Sequence, residues 1–200
     1  KDLEGIHFVD SKMGWVVGGF GAILTTTDGG SSWSSNNSVS TDNYFRSVYF
    51  VDSKTGWAVG QYGMIYKYSD TTAPTVSSVS STADNGTYGI GSVIPITVTF
   101  NESVTVTGTP QLTLETGDTD AVVDYSSGSG STTLTFNYTV AAGHISADLD
   151  VTGVDVLANS SNLIKDLAGN FGTISVPKPG ATNSLSANKN IVIDGIKPVI

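Results

Sequence analysis

The chain has 200 residues, with 9 Lys plus Arg against 18 Asp plus Glu, a formal charge of −9 and no cysteine. Its cations are scattered, so it lacks the clustered positive charge that a nucleic-acid backbone needs, and no apolar run approaches the ~20 residues of a spanning helix. Ser, Thr and Gly abound, helix formers are sparse, and short alternating apolar runs lie between Gly, Asn, Asp and Pro, which predicts an all-β protein.

Residues 5–69 repeat themselves. Phe8–Gly18, "FVDSKMGWVVG", returns as Phe50–Gly60, "FVDSKTGWAVG", with nine of eleven letters kept at an offset of 42. Each copy predicts a strand ("GIHFVD", "SVYFVD"), a turn, a strand opening on Trp15 or Trp57, a second turn ("FG", "YG") and a third strand ("AILTTT", "MIYKYS"). Alternation places Ile6 with Phe8, and Val48 with Phe50, on one face. A period of about 40–45 residues built of short antiparallel strands is the signature of a propeller blade.

"TTDGGSSW" follows the first copy. Thr26, Asp28, Gly30, Ser32 and Trp33 fit the spacing of a hairpin in which an aspartate accepts N–H groups of its own loop, glycines supply positive φ and a tryptophan packs beneath. With "F-x-D-x-x-x-G-W-x-V-G", this pattern resembles the BNR/Asp-box propellers, especially those like the photosystem II assembly factor. The resemblance implies an Asp-box on the outer edge of a blade, remote from any catalytic centre. Sialidase chemistry needs an arginine cluster, and Arg46 is the only arginine. After the second copy the chain reads "DTTAPTV" and the pattern stops. Two blades are too few to close a propeller, so further blades are expected upstream, or a packing partner elsewhere.

From residue 70 a different pattern begins. "DTTAPTV" at 70–76 and "DGIKPVI" at 194–200 share Asp and Pro at an offset of 124, so the window is expected to end inside a second module of the same kind. Strands are predicted near 75–81, 93–101, 110–116, 121–126, 132–140, 151–157 and 188–194, with 163–166 continuing the sixth. Seven strands in this length predict a sandwich. "ITVTFNESVTVTGTPQLTLETG", "SGSGSTTLTFNYTV", "IKDLAGN" and "IVIDG" together resemble the tandem Ig-like repeats of giant bacterial surface proteins and adhesins, with Pro95 as a departure. The predicted architecture is therefore all-β: partial β-propeller blades, each an antiparallel four-stranded sheet, over 1–69; an Ig-like β-sandwich over 70–193; and the start of a following repeat at 194–200.

Chemistry-bearing residues are few. Strand alternation brings Asp70, Glu102, Asp166 and Asn170 to one pole of the sandwich, an oxygen set that suits Ca²⁺; the competing reading is a capped turn, a solvated edge residue and an Asp/Gly/Asn turn. Calcium is the one cofactor suggested. Asp148, Asp150 and Asp155, and separately Asp118, Asp120 and Asp124, read as solvated loop acids. His7 and His144 stand at no metal-ligand spacing. Sequons at Asn36, Asn85, Asn101, Asn137 and Asn159 match chance in so Asn/Ser/Thr-rich a chain. Trp15 and Trp57 could bind glycans if exposed, although blade tryptophans are usually core. The expectation is a non-catalytic structural segment of a large extracellular or cell-surface protein: a stalk, an adhesin spacer or a filament subunit. Its partners would be modules of the same long chain, copies of itself or surface glycans. The alternatives are a glycan- or protein-binding module and an accessory part of a glycosidase.

Overall fold

The computed structural model describes residues 2–35, 39, 42–69, 72–153, 157–158, 163–172 and 175–197. They fall into two compact units, Lys1–Thr71 and Thr72–Ile200. All regular structure is β apart from a few short turns of helix.

The first unit holds two antiparallel sheets of the same design. One is β1 (Leu3–Phe8), β2 (Gly14–Gly18) and β3 (Ile23–Thr26); the other is β4 (Phe45–Phe50), β5 (Thr55–Gly60) and β6 (Ile65–Ser69). Several of the repeated letters have a structural use. Asp10 Oδ1 accepts from the N–H of Lys12 and Met13, and Asp52 Oδ1 from Lys54 and Thr55, all at 2.7 Å. The Met13 and Lys12 amides hold the Asp10 carboxyl below the usual carboxylate range. The second turn places Phe20 and Gly21, or Tyr62 and Gly63, in the left-handed region, the geometry of a type I′ hairpin turn. The glycine before each tryptophan seats an aromatic ring. Phe8 lies opposite Gly14 and Phe50 opposite Gly56, and a Cβ there would meet the ring at 2.6 and 2.5 Å.

Trp15, Val17 and Ile23 of the first sheet pack against Phe45, Val48, Phe50 and Ala58 of the second. Trp15 stacks on Phe50 with ring centroids 3.6 Å apart. The sheets carry three strands rather than the expected four among the described residues. In the first, Ser34 bridges Thr25, a single residue standing where a fourth strand would run.

The second unit is a β-sandwich. Its strands are β7 (Val76–Ser81), β8 (Gly86–Gly89), β9 (Val93–Val106), β10 (Gln111–Leu114), β11 (Ala121–Ser127), β12 (Ser131–Thr139), β13 (Ile145–Ser146), β14 (Leu157–Ala158) and β15 (Ile164–Asp166); α1 (Leu185–Asn188) precedes β16 (Ile191–Asp194). The large sheet has the order β14-β10-β11-β12-β9-β15, with β7 also on β9. The small sheet is β13-β16-β8, in which β16 and β8 run parallel. Ile94, Ile96, Val98 and Phe100 of β9 share the core with Leu134, Phe136 and Tyr138 of β12 and Ile191 and Ile193 of β16.

Three boundaries differ from expectation. β9 continues to Val106 instead of ending at Asn101, because β15 pairs with its far half and Val104 keeps the alternation buried. The last strand starts at Ile191, after a helical turn capped by the Ser184 hydroxyl. In place of a continuous strand over 151–157, Val151 bridges Leu114 and β14 pairs with β10; residues 154–156 lie outside the described set. Pro95 sits inside β9 opposite Asn137, and its carbonyl accepts from the Ser81 hydroxyl at 2.7 Å.

The chain enters and leaves this sandwich at opposite poles. Thr75 N donates to Asn101 Oδ1, and Asn101 N to the Thr75 carbonyl. At the other end Gly195 N donates to the His144 carbonyl, and Val140 N to the Ser92 carbonyl. The two poles are the two ends of the Val93–Asn101 stretch of β9, about 26 Å apart at ~3.3 Å per residue.

Candidate functional site

The Asp-box residues form a hairpin clamp. Asp28 Oδ1 accepts from the Thr26 hydroxyl at 2.8 Å and from Ser32 N at 2.9 Å, and Asp28 Oδ2 accepts from the Ser32 hydroxyl at 2.6 Å. Gly29 and Gly30 take φ of 74° and 92°, and Gly30 N donates to the Thr26 hydroxyl. Trp33 meets the Phe8 ring edge-on at 6.0 Å. The Ser32 hydroxyl, the Ser32 amide and the Thr26 hydroxyl pull the Asp28 carboxyl down to about 2. Its folded pKa lies below the unfolded one, so the clamp is complete above pH 4 and is lost as pH falls through about 2. The Ser32 amide resonance is expected to titrate with a midpoint near 2. A midpoint near 4, or none in Asp28→Asn and in the parent alike, would contradict the clamp.

The repeated tryptophans part company. Trp15 is wholly buried, presents no ring face to solvent, and its Nε1 has no hydrogen-bond partner among the described residues. Trp57 is 36% exposed and stands beside Tyr49 on the outer face of the second sheet. The two tryptophans thus occupy one inner and one outer position, and the motif's phenylalanines do the reverse, with Phe50 buried and Phe8 exposed.

Of the polar set at the entry pole, Asp70 lies outside the described residues. Glu102 is half-buried within β9. Asp166 and Asn170 do come together. Asp166 Oδ1 accepts from Asn170 N, and Asp166 Oδ2 from Asn170 Nδ2, both at 2.8 Å. Asn170 Nδ2 also reaches the Thr72 carbonyl at 3.3 Å. Both carboxylate oxygens of Asp166 are thereby engaged in closing the "DLAGN" turn at the point where the chain enters. Among the described residues no three His, Asp or Glu side chains are grouped so as to hold a metal ion.

Asp150, expected to be a solvated loop acid, is buried. Its Oδ1 accepts from Val151 N, and its Oδ2 from Gly180 N and from the Ser186 amide and hydroxyl. Burial pushes the carboxyl up, but the Ser186 hydroxyl and the three amides outweigh it and leave the pKa lowered. This carboxylate ties the strand-like segment at 149–151 to the first turn of α1, and nothing in the local pattern "SADLD" signals it. Asp155 lies outside the described residues, as do Asn36, Asn159 and Pro198.

An open groove of about 630 Å³ runs along β11 and β12, bordered by Asp120, Asp124, Tyr125, Asn137 and His144. At its end His144 Nδ1 lies 2.9 Å from the Tyr138 hydroxyl, which burial pushes up to about 12. The pair bonds a buried phenol to the turn at 141–144.

A family model described as the photosynthesis system II assembly factor YCF48 matches residues 2–69. The match supports the BNR-type propeller blade as the design of the first unit. No curated protein matches the chain.

Proposed function

We propose that this chain is a non-catalytic structural segment of a large extracellular or cell-surface protein, in which an Ig-like sandwich acts as a spacer beside propeller blades. One observation carries the proposal: the sandwich takes in the chain at one pole and releases it at the other. Modules connected this way add length in series. The carboxylates that chemistry would use are consistent with that role. Asp28, Asp150 and Asp166 each hold their own loops or a neighbouring segment by hydrogen bonds.

A spacer that bears tension would have its terminal strands loaded lengthwise. β7 leaves the entry pole along β9, and β16 runs beside β8 to the exit pole. Ladder hydrogen bonds lie across the strands, so axial pulling shears them together. Stretched between its ends, the sandwich is expected to open in a single step. Roughly 120 residues at ~3.4 Å each, less the folded span of ~26 Å, give a gain of about 380 Å. Single-molecule force measurement reads this directly. Gradual opening in many small low-force steps would count against a tension-bearing spacer.

Glycan or protein binding by the blades is favoured by one feature, the exposed Trp57 and Tyr49. Trp15 takes no part in it. Glycan-array binding lost in Trp57→Ala would support that role.

A further inference from the structure

β11 is shared between two ladders and leaves a split in the large sheet. Its first half, Ala121–Asp124, pairs with β10. Its second half pairs with β12 at Tyr125 and Phe136 and at Ser127 and Thr135, and the ladder stops there. Beyond that point β12 continues through Asn137, Tyr138 and Thr139 with β9 alone as its neighbour. The groove of about 630 Å³ is bordered by both separated stretches. Each turns backbone groups into it. Tyr125 N donates to the Pro110 carbonyl on the β10 side. Successive residues of a strand point their N–H and C=O groups to alternate sides, so Val122 and Asp124 face the groove. Val140 N donates to the Ser92 carbonyl on the β9 side, so Thr139 and Asn137 face the groove from across. Among the described residues neither stretch has a strand partner on this side. Open edges of this kind are templates for a further strand.

We propose that this split takes up an extended peptide as an added strand, and that the occupant is a cationic segment of another protein. The main-chain groups of Asn137 and Thr139 stand two residues apart, the spacing at which an incoming strand's own backbone pairs. Pairing along the free edge seats about four peptide residues, roughly 13 Å at ~3.3 Å each. Charge selects the occupant. Asp120 and Asp124 border the groove, and no Lys or Arg among the described residues does. Cationic side chains flanking the seated residues are therefore attracted, whereas the chain's own formal charge of −9 disfavours a second copy. Val122, 58% exposed on the rim, offers apolar contact to alternate side chains of the peptide. The site adds a partner to the spacer role and does not depend on it.

The geometry is tested first in the full chain alone. Amide hydrogen exchange is expected to be fast at Asn137 and Thr139 and about a hundredfold slower at Tyr138 and Val140, which turn to β9. The binding probe is a blocked peptide of about seven residues, Thr and Val alternating with a lysine at each end. It is expected to shift the amides of Val122, Asp124, Asn137 and Thr139, to slow exchange at the last two, and to bind with a Kd below about 1 mM. Thr139→Pro removes one donor from the free edge, where proline is tolerated, and is expected to weaken binding about tenfold. Asp120→Lys leaves the backbone alone and is expected to weaken it about threefold at low salt. Circular dichroism verifies folding, and a probe N-methylated at alternate residues replaces Thr139→Pro if that variant unfolds. Slow exchange at Asn137 and Thr139 in the free chain overturns the proposal, as do unshifted groove amides up to about 5 mM peptide. So does a probe ending in Glu that binds as well as the lysine one, or binding that neither Thr139→Pro nor N-methylation weakens. Exchange that slows only as the chain itself is concentrated would put a second copy in the groove and overturn the cationic occupant.

Discussion

Trp15→Ala is expected to unfold the first unit and leave the sandwich folded. The indole is wholly buried and stacked on Phe50, and removing such a ring costs about 3–5 kcal/mol. A unit of some 70 residues has a total stability on the order of 5 kcal/mol, so the loss consumes most of it. Trp57→Ala, at the same place in the repeat but half-exposed, is expected to cost under about 1.5 kcal/mol. The measurement is convenient because all three tryptophans lie in the first unit. Urea melts followed by tryptophan fluorescence report that unit alone, while circular dichroism reports both. Equal destabilisation by the two substitutions would contradict the inner and outer assignment.

Asp150→Ala is expected to be the most damaging polar substitution in the sandwich. It strips acceptors from three amides and a hydroxyl, and leaving donors unsatisfied at a buried site costs about 1–3 kcal/mol each, partly recovered by water. A total near 3 kcal/mol is expected. Asp150→Asn should recover little, since its NH₂ would face donors. The carboxyl's folded pKa is lowered from the ordinary 3.8. Its stabilisation is therefore complete above that unfolded value and is lost as pH falls through the lower folded one. Chemical melts of the parent should weaken below pH 4, and the Ala and Asn variants should show a flatter dependence there. An unchanged pH profile in the variants would assign the acid loss to other carboxylates.

Local chemistry made much of this legible. The Asp10 and Asp52 turns, the Phe20–Gly21 and Tyr62–Gly63 hairpins and the Asp28 clamp are all built from bonds between residues at most four positions apart. So is the Asp166–Asn170 turn, although its partner at the pole, Thr72, is distant in sequence. β8 and β13 left no such trace. They are short, and each becomes a strand only because β16 lies beside it. α1 has four residues, too few for a helical period, and one of its caps is Asp150, far upstream.

By itself the sequence determined the repeat, its turns, the all-β alternation and the change of pattern near residue 70. These follow from backbone preferences and side-chain spacing that act over a few residues. Only the tertiary structure decided which face of each copy of the repeated motif is buried, Trp15 in the first and Phe50 in the second. It also decided that Asp150 is a clamp and not a solvated acid, that β9 runs on to Val106, and that the sandwich opens to the chain at opposite poles. Burial and strand pairing are properties of what lies across a sheet or against its face, and that neighbour is supplied by residues tens of positions away.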